Sequence, residues 1–387
     1  MKNSFTLVTI YLVAFAGFTS LSWLFPVIPY YAASLGISVA DTGFVVSLYS
    51  YVMAIGILPC GILSDRWGRR QFLVAGLIVS AIIPFLYPLA KDLSSLYMIR
   101  IVHGLGSALF IPTALAVVTD LSRHGEHGKA MGWYTASSQL GLMAGPIVGG
   151  FILQQFGFEA AFYGCSLMPL LALIFVATRM HAIPQKPLSI PAENIHPWKW
   201  LAHPGAIVSL LALVITAVAS STISTFVPLY VRDFGITEAG AGLIITACYA
   251  SSAALRIPSG FMADRFGNAP MILTGIFLSA IAIALIPSFH LLWQLAAVGL
   301  IYGLGMGFSM PAALSWLAHL SPTDKRGFSM GLASAAFQVG LALGATTMGL
   351  VVQYNGFTTM YLAAGVAIAL SGVIMASLLR FNKGYTA

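Results

Sequence analysis

The chain has 387 residues, of which 59% are hydrophobic and 7% are charged, and its mean hydropathy is +0.91. This composition excludes an ordinary soluble domain, in which about a quarter of the residues are charged. The formal net charge of +7 does not indicate a nucleic-acid partner, because membrane topology accounts for where the basic residues fall.

Apolar segments of about 20 residues recur along the whole chain, and each is long enough to cross a hydrocarbon layer of about 30 Å as an α-helix. Twelve such segments are predicted, over residues 6–30, 42–63, 72–89, 96–119, 130–153, 160–178, 205–230, 239–262, 271–289, 292–319, 328–353 and 359–379. The predicted fold class is therefore all-α and integral to the membrane, with twelve transmembrane helices.

The lysine and arginine residues predict the orientation of these helices. With the N-terminus inside, fourteen of the eighteen fall in cytoplasmic segments, and only Lys91 and Arg232 fall outside. By the positive-inside rule, this asymmetry places both termini in the cytoplasm. We therefore predict a multi-pass protein of the plasma (inner) membrane, with the lipid bilayer as its surroundings.

An internal repeat with an offset of 199 residues divides the chain into two halves. The stretch "GILSDRWGRR" from Gly61 returns as "GFMADRFGNA" from Gly260, and "HGLGSALFIPTAL" from His103 returns as "YGLGMGFSMPAAL" from Tyr302. We predict two pseudo-symmetric six-helix bundles, over residues 1–178 and 205–387, joined by a proline-rich cytoplasmic linker over 179–204. Many secondary transporters consist of two such halves around a central site.

Four motifs carry a resemblance to a known family. "GILSDRWGRR" resembles its loop motif between helices 2 and 3, "RIVHGLGSA" its helix 4 motif, "GLMAGPIVGG" its helix 5 motif, and "PVIP" the end of its helix 1 motif. Over essentially its full length the chain resembles the major facilitator superfamily, and in particular the twelve-helix drug:proton antiporters. The resemblance implies a monomeric transporter of small molecules that works by alternating access, is coupled to protons and needs no cofactor.

The loop motif is predicted to form a gate on the cytoplasmic side. Its glycines suit a sharp turn between helices, and Asp65 can accept hydrogen bonds from the N-terminus of helix 3 or, as the resemblance suggests, of helix 11. Arg66 and Arg69 are predicted to pair with Asp120 and to release it when the halves rock. The alternative is a tight turn whose basic residues only set the topology. The predicted gate comprises Gly61, Asp65, Arg66, Gly68, Arg69, Asp120, Asp264 and Arg265.

The second copy of the loop motif differs from the first. Asn268 stands at the position that matches Arg69, and His319 stands at the position that matches Asp120. The second latch is therefore expected to be the weaker one.

The helix 5 motif places Gly141, Gly145 and Gly149 four residues apart, on one face that another helix can approach closely. Pro146 predicts a local kink. Ordinary packing of small residues is one interpretation of this face. Together with the resemblance, the motif favours a role at the interface between the halves, where these residues and Gly150 would seal the outward side.

Charged residues within the predicted helices bear on the mechanism. All eleven acidic residues fall in loops or at helix ends, so no mid-membrane carboxylate is predicted to carry protons. Arg100 and Arg256 are embedded, and such a charge is a functional candidate because it costs at least about 2.5 kcal/mol. Two interpretations of Arg100 stay open: it acts on substrate or protons, or it makes structural hydrogen bonds. Two also stay open for Arg256: it lines the inward cavity, or its side chain extends to the cytoplasmic face. His103, one turn after Arg100, is either a titrating group or a neutral core histidine.

The substrate pocket is predicted to be apolar with a few polar groups, which suits an amphipathic or aromatic compound. Gln139 and Gln338 occupy equivalent positions on helices 5 and 11, where the halves meet. Aromatic residues supply the candidate walls, although many aromatic residues in such helices face lipid or pack in the core. The predicted substrate and proton pathway comprises Arg100, His103, Arg256, Gln139, Gln338, Trp23, Tyr30 and Tyr134.

The leading hypothesis is a secondary active transporter that exports hydrophobic or amphipathic small molecules, driven by a proton gradient. The alternative is a carrier for small organic anions or zwitterions that uses Arg100 and Arg256 and is not strictly coupled to protons. An enzyme is not predicted, because no metal motif such as H-E-x-x-H and no convergent Ser/His/Asp set is found. No metal or cofactor is expected, and an ATP-driven pump is excluded on this chain because the phosphate-binding motif G-x-x-x-x-G-K-[ST] is absent.

Overall fold

A computed structural model describes residues 2–122, 127–178, 200–322 and 326–381, so most of the predicted linker lies outside the described residues. Ten helices in the described part are long and apolar enough to cross a membrane. Three short 3-10 turns accompany them, at Ile83–Leu89, Trp200–Ala202 and Ile286–Ser288. The α-helices are α1 (Lys2–Ser34), α2 (Val39–Trp67), α3 (Arg69–Ile82), α4 (Leu93–Leu121), α5 (His127–Thr178), α6 (Pro204–Arg232), α7 (Glu238–Phe266), α8 (Asn268–Leu285), α9 (Leu292–Leu320) and α10 (Arg326–Phe381).

Polar residues before two of the helices explain where those helices begin. The Ser38 side chain accepts a hydrogen bond from the backbone N–H of Asp41 at 3.1 Å, which caps α2. Asp92 accepts one from the backbone N–H of Ser95 at 2.8 Å, and the Ser95 hydroxyl accepts in return from the Asp92 N–H, which forms a capping box on α4. Such caps satisfy backbone donors that a helix leaves unpaired at its N-terminus.

The backbone repeats itself at the offset seen in the sequence. Helices α2 and α7 begin and end 199 residues apart, and so do α4 and α9. Six of the described residues have a positive φ, all of them glycine, and they form three pairs with the same offset: Gly36 and Gly235, Gly68 and Gly267, Gly157 and Gly356. The division of the chain into domains at 179–204 stays a prediction.

Two of these helices each consist of two helical segments. α5 spans 52 residues and α10 spans 56, and each is interrupted by one non-helical glycine, near the connections predicted after residues 153 and 353. Gly157 has φ 80° and ψ −176°, a conformation that is open essentially only to glycine. Gly149 and Gly164, on either side of this break, approach the same Trp23 ring, so α5 folds back on itself there.

The two ends of the helix assembly carry different turns. The end that carries the turns at Gly68 and Gly267 also carries Arg66, Arg69 and Arg265, and we name it the basic end. The end that carries the turns at Gly36 and Gly235 and the breaks in α5 and α10 is the opposite end. The core between the ends contains helices from both halves of the chain.

The break in α5 gives a prediction about stability. Replacing Gly157 by alanine forces a side chain into the positive-φ conformation and is expected to cost about 1–3 kcal/mol, which lowers the midpoint of thermal unfolding in detergent. Gly132→Ala on the same helix is the matched control, because both positions have open space around them and only Gly157 has a positive φ. An equal melting temperature for the two variants would contradict this account of the break.

Candidate functional site

The two halves of the chain touch most closely at the opposite end, through glycines. A Cβ atom on Gly43 of α2 would meet the carbonyl oxygen of Ala345 on α10, and would lie 3.3 Å from the Cα of Gly349. Helix backbones that approach this closely need small residues at the contact. The crossing of α2 and α10 therefore depends on glycine.

A second crossing, between α5 and α7, repeats the first at the offset of 199. A Cβ atom on Gly242 would meet the carbonyl oxygen of Pro146, and one on Gly150 would meet that of Glu238. Gly242 corresponds to Gly43 and Pro146 corresponds to Ala345. The interface at the opposite end is thus pseudo-symmetric in its backbone contacts.

Polar and aromatic contacts extend this interface inwards. The Thr246 hydroxyl on α7 donates to the carbonyl of Met143 on α5 at 2.9 Å, and the Thr346 hydroxyl on α10 donates to the Ser47 hydroxyl on α2 at 2.9 Å. The Phe25 ring of α1 stacks on the Tyr249 ring of α7, in the other half, with 6.1 Å between the ring centroids.

The interface loosens towards the basic end. The α2/α10 pair continues as far as Gln338, whose Nε2 donates to the Sδ atom of Met53 at 2.9 Å, and Gly331, whose Cβ would lie 2.9 Å from Leu58. Beyond that depth, a Cβ atom would meet nothing within 4 Å at five glycines: Gly61, Gly128, Gly132, Gly260 and Gly327. The closest described contacts between the halves therefore lie at the opposite end, and fewer are found towards the basic end.

Arg100 lies inside the first half, where each of its three side-chain nitrogen atoms has a partner. It is 6% exposed, and its Nε and Nη2 donate to the carbonyls of Val45 and Val46 on α2 at 3.0 and 2.9 Å. Its Nη1 lies 3.4 Å from the Tyr87 hydroxyl, and the guanidinium carbon lies 4.7 Å from the centroid of the Tyr49 ring. These contacts clamp α4 to α2.

His103 completes this buried network. The Tyr87 hydroxyl lies 3.1 Å from His103 Nδ1. Arg100 Nη1 donates to the same hydroxyl oxygen, so the arginine, the tyrosine and the histidine form one buried chain of polar contacts. A second positive charge beside the Arg100 guanidinium would be unfavourable.

An ion-pair cluster stands at the basic end of the first half. Arg69 Nη1 lies 2.7 Å from Asp120 Oδ2, and Arg69 Nη2 lies 3.1 Å from Asp65 Oδ1. The Asp120 side chain is 18% exposed and the Asp65 side chain is 53% exposed, so the Asp120 pair is the better shielded from water. Asp120 thereby joins α4 to the start of α3.

Comparison with known families decides what this architecture is. The sequence profile of the Major Facilitator Superfamily matches residues 10–231 and again 209–385. The chain belongs to the Major Facilitator Superfamily. It is therefore a multi-pass membrane protein of a transporter family.

Relatives and solved structures agree with this membership of the superfamily. The chain is 24% identical to the uncharacterized MFS-type transporter MJ1560 of Methanocaldococcus jannaschii, with 99% of each chain covered. It is 22% identical to the quinolone resistance protein NorA of Staphylococcus aureus, with 95% of this chain and 94% of NorA covered. A crystal structure of a POT family transporter with 5-aminolevulinic acid matches with a TM-score of 0.80 at 15% identity, covering 99% of this chain and 97% of that one. At that identity the structural match shows the fold alone.

The superfamily's loop motif has the predicted ion pair in part. Arg69 pairs with Asp120 as expected, whereas Arg66 is exposed and forms no ion pair with any described residue. Asp65 pairs with Arg69, one turn along, and no hydrogen bond from a helix N-terminus to Asp65 is found in the described residues. Gly68 has φ 108°, and its N–H bonds to the carbonyl of Ser64, which makes the predicted turn between α2 and α3.

The second copy of the loop motif lacks this ion pair. His319 Nδ1 lies 2.8 Å from the carbonyl oxygen of Ser315 on its own helix, and the Asn268 Oδ1 atom has no partner in the described residues. Asp264 is exposed, and the guanidinium of Arg265 lies over the Phe266 ring at 5.4 Å. The asymmetry between the copies is present in the structure.

The helix 5 motif divides between two partners. Gly141, Gly145 and Gly149 face α1 of the same half, where added Cβ atoms would meet Phe15, Thr19, Ser22 and Trp23. Met143, Pro146, Ile147 and Gly150 contact α7 of the other half. The three spaced glycines therefore pack the first half, and the contact across the halves belongs to their neighbours in the motif.

The predicted pathway residues do not form one cluster. Trp23 wedges between the two arms of α5, and Tyr134 packs in the core of the first half with Phe110. Gln338 lies at the α2/α10 contact, and Gln139 is 3% exposed with its Nε2 atom unpaired. Arg100 and His103 share the network described above.

Two of the predicted residues remain at the edges of the interface. Tyr30 is 6% exposed, and its hydroxyl is unpaired at the opposite end of α1. Arg256 on α7 also lacks a partner. No group of three or more histidine, cysteine, aspartate or glutamate residues in the described part could hold a metal ion.

Sequence reasoning missed three contributors to the site. Tyr87 links Arg100 to His103, and nothing local marks it for that role. Gly43 and Gly242 form the crossing contacts, and their retention in both copies of the repeat was the signal that could have identified them.

The crossing contact gives a prediction about the conformational state. Gly43→Leu places a side chain against the Ala345 carbonyl and is expected to open the opposite end, because such overpacking costs about 1–3 kcal/mol. The reporter is Ser47→Cys in a protein whose native cysteines are replaced. An impermeant maleimide should label this cysteine about tenfold faster when Gly43→Leu is present than when it is absent. Gly61→Leu on the same helix has open space and should leave the rate unchanged. Slow labelling in a folded Gly43→Leu variant would overturn the contact's role.

The ion pairs give a prediction about stability. Asp120→Asn removes the shielded partner of Arg69 and is expected to destabilise the folded protein by about 2 kcal/mol. Asp65→Asn removes an exposed partner and should cost less than about 1 kcal/mol. Thermal unfolding in detergent at low and at high salt measures both effects. High salt should reduce the difference in melting temperature between wild type and Asp65→Asn. A larger loss for Asp65→Asn would contradict the ranking.

Proposed function

We propose that this chain exports hydrophobic or amphipathic small molecules by alternating access, driven by a proton gradient. The observation that carries the proposal is the interface between the halves, whose closest described contacts are made by glycines at one end. A binding site between two such halves is reached from one side at a time when they rock. The resemblance of the helix 5 motif to antiporters, and the quinolone resistance protein among the relatives, support export and proton coupling.

The proposal includes the arrangement in the membrane. We propose that α5 and α10 each cross twice, because each spans more than 50 residues and breaks at one glycine, which makes twelve crossings in all. The basic end then lies in the cytoplasm with both termini, by the positive-inside rule. The two bundles correspond to residues 1–178 and 205–387, and the protein acts as a monomer in the plasma membrane.

The proton part of the proposal does not rest on His103. That side chain is enclosed and neighbours the Arg100 guanidinium, and both features favour its neutral form. The described acidic residues lie at helix ends or turns. Coupling through a deeply buried acid, as in a simple proton relay, therefore has no described residue to carry it, and flux measurements are the decisive test.

The alternative function, a carrier for organic anions or zwitterions, depended on two arginines. Arg100 is removed from that role, because its donors are directed to the backbone of α2 and to Tyr87. Arg256 has no such partners. Of the two arginines, only Arg256 therefore remains available to bind an organic anion.

The experiment uses the full chain in liposomes with ethidium as the transported cation. With an acidic lumen, we expect ethidium to accumulate faster than in protein-free liposomes, and a protonophore that collapses the pH gradient should abolish the difference. Gly43→Leu serves as the control that reconstitutes but cannot close at the opposite end, and it should not accumulate ethidium. Equal flux with and without the pH gradient would rule out proton coupling, and no flux of any kind would rule out the export of such compounds.

A further inference from the structure

Arg256 is a basic side chain within α7 that the architecture leaves unsatisfied. Its side chain is partly buried, its Nε atom is enclosed, and it forms no hydrogen bond or ion pair with any described residue. An arginine in such a place stays protonated, because its pKa is too high for neutralisation to relieve the cost. The charge therefore needs an anionic partner that the described residues do not provide.

The helical period shows where Arg256 faces. Gly242, Thr246, Tyr249 and Arg256 are spaced by four, three and seven residues, which places them within about 80° of arc on α7. The first three contact the other half of the chain, at Pro146, Met143 and Phe25. Arg256 continues the same face towards the basic end, where Gly260 has nothing within 4 Å. It therefore lies on the α7 face that meets the other half, nearer to the basic end than those contacts.

The fold itself does not require this charge. The equivalent position in the first half is Ile57, which is apolar and 3% exposed. Asp264, the acidic residue two turns further along α7, is exposed and forms no ion pair with a described residue. A residue that is costly, unpaired and absent from the other copy of the repeat is one that a ligand completes.

We propose that Arg256 binds the anionic group, most simply a carboxylate, of the transported compound, and that the stacked pair of Phe25 and Tyr249 contacts the compound's apolar part. Seven residues of helix separate Arg256 from Tyr249, a rise of about 10 Å, which matches a small aromatic acid. The guanidinium offers two parallel donors to a carboxylate. The inference rests on the proposed transport function and adds amphipathic acids and zwitterions to the compounds that the site accepts, as the ligands that this arginine prefers.

Three probes of equal shape test the inference: 1-naphthylacetate, its neutral amide 1-naphthylacetamide, and the cation 1-naphthylethylamine. Binding to the purified full chain is measured by the thermal shift and by quenching of tryptophan fluorescence. We expect the acid to bind wild type at least about tenfold more tightly than the amide, since hydrogen bonds to a charged group contribute that much discrimination. The cation should bind more weakly still.

The variants separate recognition from folding. Arg256→Gln should abolish the preference for the acid and leave the affinity for the amide unchanged, and Arg256→Lys should retain part of the preference. Arg265→Gln is the matched control, because this arginine is exposed at the basic end of the same helix and should keep the full preference. An effect that came only from misfolding would lower binding of the amide as well.

Four results would overturn the proposal that Arg256 binds an anionic group. Two concern wild type: the acid does not bind, or acid and amide bind equally. Two concern Arg256→Gln: it keeps the preference for the acid, or it loses binding of acid and amide alike. The transport function is judged separately by ethidium flux in liposomes. Ethidium transport without selectivity for the acid would leave the exporter standing and remove Arg256 from anion recognition.

Discussion

The structure depends on how closely two pairs of helix backbones approach each other at glycine. Lipid tails are as apolar as leucine, so no hydrophobic force holds membrane helices together, and van der Waals contact at small residues takes its place. Gly43 against Ala345 and Gly242 against Pro146 supply that contact once on each side of the molecule. The two crossings determine where the halves meet and which faces of α2, α5, α7 and α10 lie against each other.

Elements set by local pattern could be predicted from the sequence, and elements set by distant partners could not. The apolar segments, the turn at Gly68 and the offset of 199 residues are readable because each is local or repeated. The interruption of α5 was expected from the sequence, but not that a single glycine in a positive-φ conformation makes it, because a one-residue break and a short loop look alike in sequence. The spaced glycines of α5 predicted a close helix contact correctly, but spacing does not say that the contact is α1.

The same limit applies to the side chains of the site. The pairing of Arg69 with Asp120 could be anticipated, because both stand at helix ends on the same side of the membrane. The role of Arg100 could not, since two of its acceptors are backbone carbonyls 54 and 55 residues away, and backbone groups leave no mark in sequence. Arg256 stands between these two cases. The sequence alone does not say which neighbour its helix face meets, but the helical period assigns Arg256 to a face once one contact on that face is known.

The crossing at the opposite end also constrains how the protein is made. The hydrogen bond between Ser47 and Thr346 joins residues separated by 299 positions, so it can form only after nearly the whole chain has left the ribosome. Until then α2 presents its glycine face without the helix that covers it, whereas α1 and α5 can pair much earlier. Contacts this distant in sequence form late. The α2/α10 crossing is therefore expected to form late during biosynthesis, whereas the α5/α7 crossing needs only residues up to Phe266.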